Sequence, residues 1–240
     1  MLRLPKPTVE QWREIVGRQA ECVLEIGCHD GSDTVLLLDA FPEASFHCWE
    51  PDARPRRRFV ERLGRNPRVT LRSEAVIAWD GRAPWYASHG KMLDDPDPEA
   101  FPAAMREDWD ASGSTMLPTG HVGFPSWLTF AEEGTVPAIR LDTWLNGHPE
   151  IAMIDLIWAD IQAAELRMIV GGQRTLARTR YLYLEVFDPQ LTPDYSGPDQ
   201  LYQNQPPFAD LLKALPGWAL MGFYEDDCLL FRNSNVRATP

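Results

Sequence analysis

The stretch Cys22-Val-Leu-Glu-Ile-Gly-Cys-His-Asp-Gly-Ser-Asp-Thr34 decides how the rest of the chain is read. Its opening run from Cys22 to Ile26 is mostly apolar, too short for a helix, and stopped by Gly27. That pattern predicts a strand buried on both faces, as parallel sheets require. Gly27 and Gly31 let the backbone turn sharply and admit a ligand with no Cβ in the way. The helix expected from Val35 to Phe41 would then aim its first N–H groups at that ligand.

Upstream, Thr8-Val-Glu-Gln11 has the form of a capping box, predicting a short helix to about Arg18 with Trp12, Ile15 and Val16 buried. Downstream, Ser45 to Glu50 and Val69 to Leu71 read as the next strands, separated by an arginine-rich helix. Its run Arg54, Arg56, Arg57, Arg58, Arg62 and Arg65 reads as a solvated face. Ala75 to Ala78 and Pro84 to Ala87, around Asp80-Gly81, read as a hairpin. From about residue 88 to 137 no period is sustained, and Trp109, Phe124, Trp127 and Phe130 suggest a packed lid over the sheet edge. Order returns with the strand Ile154 to Ala159, the helix of Leu166, Ile169 and Val170, and the strand Tyr181 to Phe187. After a proline-rich loop come a helix from Phe208 and a closing hairpin, Trp218 to Tyr224 and Cys228 to Phe231. Strands alternating with helices at this spacing predict an α/β, doubly wound, mostly parallel sheet in one domain spanning residues 1–240.

The 240 residues are 44% hydrophobic and 24% charged, enough to bury a core. A formal charge of −12 argues against a nucleic-acid partner, because phosphates would be repelled. Cys22, Cys28, Cys48 and Cys228 form no paired spacing and read as reduced, buried thiols, consistent with a cytoplasmic protein. Met1 to Pro7 is polar and proline-broken, unlike the core of a signal peptide, and no apolar run reaches the ~18 residues needed to span a membrane.

Glu50 ends the second strand 23 residues after Gly27, where an acidic side chain can accept both hydroxyls of a ribose. The dinucleotide fingerprint G-x-G-x-x-G is absent, because Cys28-His29 follows Gly27. A side chain at His29 obstructs the approach of a pyrophosphate, whereas S-adenosylmethionine presents an amino-acid tail whose ammonium Glu25 and Asp30 could receive. The expected cofactor set is Glu25, Gly27, Cys28, His29, Asp30, Gly31, Glu50, Pro51, Glu74 and Ala75.

On these residues the chain resembles the FkbM family of methyltransferases from about Val23 to Phe231. Residues 23–34 are similar to its first motif, and Trp49-Glu-Pro-Asp52 to its second. Ala138 to Leu145 resembles the segment leading into the fourth strand, and Ile154 to Glu165 with Tyr183-Leu-Glu-Val186 is the most specific match. Ala163 stands where the family usually has glycine. The resemblance implies a Rossmann-like class I fold, a seven-stranded sheet with its last strand antiparallel, and methylation of oxygen.

Methyl transfer is an in-line displacement that rewards alignment, and a hydroxyl acceptor must also lose a proton. Asp160, at a strand's carboxyl end, is the first candidate for that chemistry, or else a helix N-cap, with His121 as a possible base. Gln162, Glu165, Phe124 and Trp127 are the candidate substrate contacts, and no metal is expected. The acceptor would be a small molecule, a sugar or natural product, and a homo-oligomer is possible. Transfer to nitrogen, a non-catalytic cofactor-binding module and a nicotinamide oxidoreductase are the alternatives.

Overall fold

A computed structural model describes residues 3–92, 103–189, 191, 197–225 and 227–236. Eight strands form the main sheet: β1 (Arg3–Leu4), β2 (Cys22–Ile26), β3 (Ser45–Trp49), β4 (Val69–Arg72), β8 (Ile154–Ala159), β9 (Thr179–Glu185), β10 (Trp218–Tyr224) and β11 (Cys228–Asn233). Their order is β1-β10-β11-β9-β8-β2-β3-β4, and β11 alone runs against its neighbours. Seven of these strands are the predicted sheet with its antiparallel last strand. The two-residue β1 extends it by one at the outer edge.

β2 and β8 lie side by side at the centre, and every residue in both is buried. Alternate side chains feed two cores, as a pleated strand demands. Val23, Phe46, Leu156 and Trp158 pack with Trp12, Leu37, Phe41 and Phe59 of helices α1 (Val9–Ile15), α2 (Ser32–Ala40) and α3 (Ala53–Leu63) and the turn after α2. Leu24, Ile26, Ile157 and Ala159 pack with Leu141, Trp144, Met168 and Leu211 of α5 (Leu141–Asn146), α6 (Glu165–Gly171) and α8 (Phe208–Ala214). A further short helix, α7 (Gln173–Leu176), leads into β9. Among the described residues no helix is long and apolar enough to cross a membrane, and the four cysteines are buried.

Thr8 caps α1 in a complete capping box, but the helix stops at Ile15 rather than Arg18, because Gly17 takes a left-handed φ of +103°. The expected hairpin does not form. β5 (Ala75–Val76) and β6 (Gly81–His89) both pair with β7 (Thr129–Ile139), which lies between them. Asp80 is the reason the turn signal misleads: its carboxylate accepts bonds from Arg140 N and Nε (both 2.9 Å) and Thr143 Oγ1 (2.8 Å). Regular structure also penetrates the stretch expected to lack it, with α4 at Ala103–Glu107 and most of the eleven-residue β7.

Candidate active site

Two loops leave the carboxyl ends of β2 and β8 in contact with each other. Gly27 has φ +82°, its N–H donates to Trp49 O (2.9 Å), and a Cβ there would lie 1.8 Å from the Asp160 carbonyl oxygen. Asp160 N donates to Ile26 O at 2.9 Å, so the strand ladder continues into the loop. Beyond Gly27 the chain turns through His29 (φ +47°) and Gly31 (φ +81°) into α2. Ser32 N and Oγ donate to Asp30 (3.1 and 2.6 Å), and Arg62 reaches the same oxygen at 3.1 Å. Burial opposes the Asp30 charge, but these partners outweigh it and hold the carboxyl below the usual range.

Glu50 is buried at the tip of β3, where Asp52 N donates to one of its oxygens (2.7 Å) and His29 N to the other (3.0 Å). Burial lifts it to about 7, with the His29 charge and the two N–H bonds acting in the opposite direction. Each oxygen keeps a lone pair for a further donor.

A cavity of about 400 Å³ opens between these loops, within the range of small-molecule sites. Gly27, Cys28, His29, Asp30, Glu50, Pro51, Glu74 and Ala75 line it, as do Asp160 and Gln162. Two expected cofactor residues do not. Glu25 points away under the loop, where Thr34 Oγ1 donates to it at 2.6 Å and burial raises it to about 8. Gly31 turns its missing Cβ toward Phe59 and Leu63, so its role is packing α3 against the loop.

The opposite wall comes from the segment between β5 and β7, including Trp85, Met105, Asp110, Gly113 and Thr115. Asp110 is buried, bonds His29 Nε2 (2.8 Å) and forms an ion pair with Arg58 (2.8 Å). Burial works against its charge, yet His29 and Arg58 carry it down to about 2. Burial likewise depresses His29, but the Asp110 bond and the surrounding acids lift it above 6.5. Arg54 bonds Asp108 (2.9 Å) and Ser88 O (2.9 Å). Arg54 and Arg58 therefore clasp the insertion, while Arg57, Arg62 and Arg65 are exposed, so the run is in part the solvated face expected. Nothing local in the sequence pairs Asp108-Trp-Asp110 with arginines some fifty residues earlier; opposite charge in both segments was the available signal.

On the β8 side, Gln162 Nε2 donates to Asp160 Oδ1 (2.8 Å) and to Glu185 Oε2 (2.7 Å) at the end of β9. Desolvation first, and then the Asp160 charge, push Glu185 well above the ordinary carboxylate range. Gln162 and Ala163 both adopt left-handed φ, +53° and +72°. Glu165 holds that turn by accepting Ile161 N at 3.0 Å; it is buried, raised to about 8 by burial, and does not line the cavity. The N-cap of α6 is Ala164, so Asp160 is not a helix cap.

His121 is outside the cavity. It packs on Phe130 and Tyr202, its Nδ1 lies 3.0 Å from Tyr202 Oη, and burial lowers it to about 4. Tyr202 donates to Ser112 O (2.8 Å) and sits 3.2 Å from Gln162 Oε1, so His121 reaches the site only through Tyr202. Trp127 meets Trp109 edge to face with centroids 5.6 Å apart, Phe124 is exposed, and neither lines the cavity. Trp127 is taken up by packing against Trp109, and Phe124 lies at the surface. Among the described residues no group of three or more His, Cys, Asp or Glu is arranged to hold a metal.

Comparison with known proteins bears on this geometry. The chain is 33% identical to the 2-O-methyltransferase NoeI of Sinorhizobium fredii (strain NBRC 101917 / NGR234) over 98% of its own length and 90% of that protein's. It shares its fold with a crystal structure from Klebsiella pneumoniae assigned as an O-methyltransferase, at 16% identity and a TM-score of 0.51, covering 95% of this chain and 80% of that one. The description of the methyltransferase FkbM domain matches residues 24–205, which hold both loops and the wall facing them. The chain is a methyltransferase and belongs to the FkbM family.

Proposed function

We propose that this protein transfers the methyl group of S-adenosylmethionine to a hydroxyl of a small molecule, a sugar or natural product. The observation that carries the reading is that one cavity is lined both by the Gly27–Asp30 loop with Glu50 and by Asp160 with Gln162. Glu50 would hold the ribose hydroxyls with its remaining lone pairs, Asp30 the ammonium of the tail, and Glu74 and Ala75 the edge of the base. Bound there, the cofactor supplies an electrophilic methyl group.

The chain's own residues then have three tasks. Gln162 fixes the Asp160 carboxylate through the bond to Oδ1, so a hydroxyl beside it meets an oriented proton acceptor. The described residues between β6 and β7, from 103 onward, are fastened by Asp110 to His29 and Arg58 and would act as the lid that limits water at the reacting atoms. Trp85 and Thr115, on its inner wall, would meet the acceptor. Oxygen as the target atom is supported by the relative named as a 2-O-methyltransferase.

The test is calorimetric titration with S-adenosylhomocysteine. Wild type should bind in the micromolar range and Glu50→Ala at least about tenfold more weakly, roughly 1.4 kcal/mol. No binding by folded wild type would sink the proposal. Transfer of labelled methyl to a panel of hydroxylated acceptors, abolished by Asp160→Asn, identifies the substrate class.

A further inference from the structure

The N-terminal segment precedes the matched domain, yet it builds part of the cavity wall. β1 adds to the outer edge of β10, with Arg3 opposite Phe223 and Leu4 opposite Tyr224. Glu225 N donates to Leu4 O (2.8 Å), Lys6 N donates to the Glu225 carboxylate (3.4 Å), and Arg3 pairs with Asp227 (2.8 Å). Pro5 and Pro7 restrict the backbone on either side of Lys6. The strap so formed sends the Lys6 side chain over the Trp158 ring, 5.1 Å from its centroid, to Asp33 at 2.7 Å.

Lys6, Asp33 and Trp158 all line the cavity beside Gly27 and Ser32. The remaining charges there are largely acidic: Asp30, Glu50, Glu74, Asp110 and Asp160. Among the described lining residues Lys6 carries the one ammonium, and the other basic side chain, His29, is engaged by Asp110. A ligand bearing an ammonium and a sulfonium is welcome in such a cavity, whereas its carboxylate is favoured beside the one fixed ammonium.

We propose that Lys6 is a cofactor-binding residue that receives the carboxylate of the S-adenosylmethionine tail, an assignment resting on the function proposed above. Trp158 and Asp33 hold the ammonium in place beforehand, so little side-chain freedom is lost on binding.

Two ligands that share the adenosyl thioether and differ in the tail test this directly: S-adenosylhomocysteine and 5′-methylthioadenosine. Lys6→Met should weaken the first by about tenfold or more, about 1.4 kcal/mol, and leave the second within about twofold. Lys6→Arg should retain most of the affinity. Lys6→Met/Asp33→Asn should remain weak. Three results overturn the assignment: unchanged affinity in Lys6→Met, equal loss for both ligands, or recovery in the double variant, which would make Asp33 repulsion the cause. Wild type binding methylthioadenosine but not S-adenosylhomocysteine would overturn Lys6 and leave the adenosyl site standing. Binding of neither ligand would instead remove the functional reading on which it rests.

Discussion

Replacing Gly27 with alanine tests whether the two loops at the centre of the sheet are joined as described. The added Cβ would lie 1.8 Å from Asp160 O and 2.9 Å from Asp160 C, both backbone atoms that no rotamer change can move. The residue would also keep a left-handed φ of +82°. Left-handed backbone costs an alanine about 1–2 kcal/mol. Forcing a methyl into packed surroundings costs about 1–3 kcal/mol more. Separating the loops also strains the Asp160 N to Ile26 O bond, worth about 1 kcal/mol. Together these give roughly 4 kcal/mol. In a chain of this size each kcal/mol lowers Tm by about 2–4 °C, so the loss should be about 8–16 °C. Gly31→Ala is the internal comparison. Its Cβ would meet side-chain atoms, Phe59 Cδ2 at 2.8 Å and Leu63 Cδ1 at 3.0 Å, which can yield. Thermal melts followed by circular dichroism, with S-adenosylhomocysteine titration of each variant, decide the matter. A Gly27→Ala protein melting within about 2 °C of wild type and binding normally would refute the reasoning.

Ala163→Gly should break the usual rule that glycine destabilises. Ala163 sits at φ +72°, so relief of strain offsets chain entropy, and melting should show no loss and a gain of up to about 1 kcal/mol; a clear loss of stability would mean Ala163 is not left-handed. Glu25→Gln should stabilise the protein in a pH-dependent way. Burial raises Glu25 from 4.5 to about 8, so the folded chain holds a proton that the unfolded chain releases, and wild-type stability falls as pH rises from 4.5 to 8. The variant's advantage should grow by on the order of 3 kcal/mol between pH 5 and pH 8 in urea melts, and a gap independent of pH would contradict the burial.

Much of this architecture was legible because its central strands are short apolar runs closed by glycine or acid. Buried on both faces, Cys22–Ile26 and Ile154–Ala159 leave no competing pattern. The loop from Gly27 to Asp30 and the partner acid Glu50 were readable for the same local reason. What the chain concealed were its long-range pairings. β7 carries Glu132, Glu133, Gly134 and Pro137 and is exposed along most of its length, so it shows no alternation to detect. Asp110, Lys6 and Trp85 reach the cavity from segments with no motif, placed there by ion pairs and strand register. His121 drew attention as a titratable group in a glycine-rich loop, but burial against Tyr202 and Phe130 is a packing role that spacing cannot distinguish from a catalytic one.

The same composition that hides β7 has a consequence for how copies of this protein behave at high concentration. Among the described residues, β7 meets β5 at Ala138 and Ile139, while its pairing with β6 runs from Thr129 to Ala138. Much of the β5-facing side of that long strand therefore has no ladder partner among those residues. Such an edge is a template on which a foreign strand can grow into an aggregate. Paired carboxylates, a glycine and a proline along it oppose that growth: charge repels an identical neighbour, and Pro137 has no N–H to offer. The polar, broken text of this segment opposes edge-to-edge strand pairing.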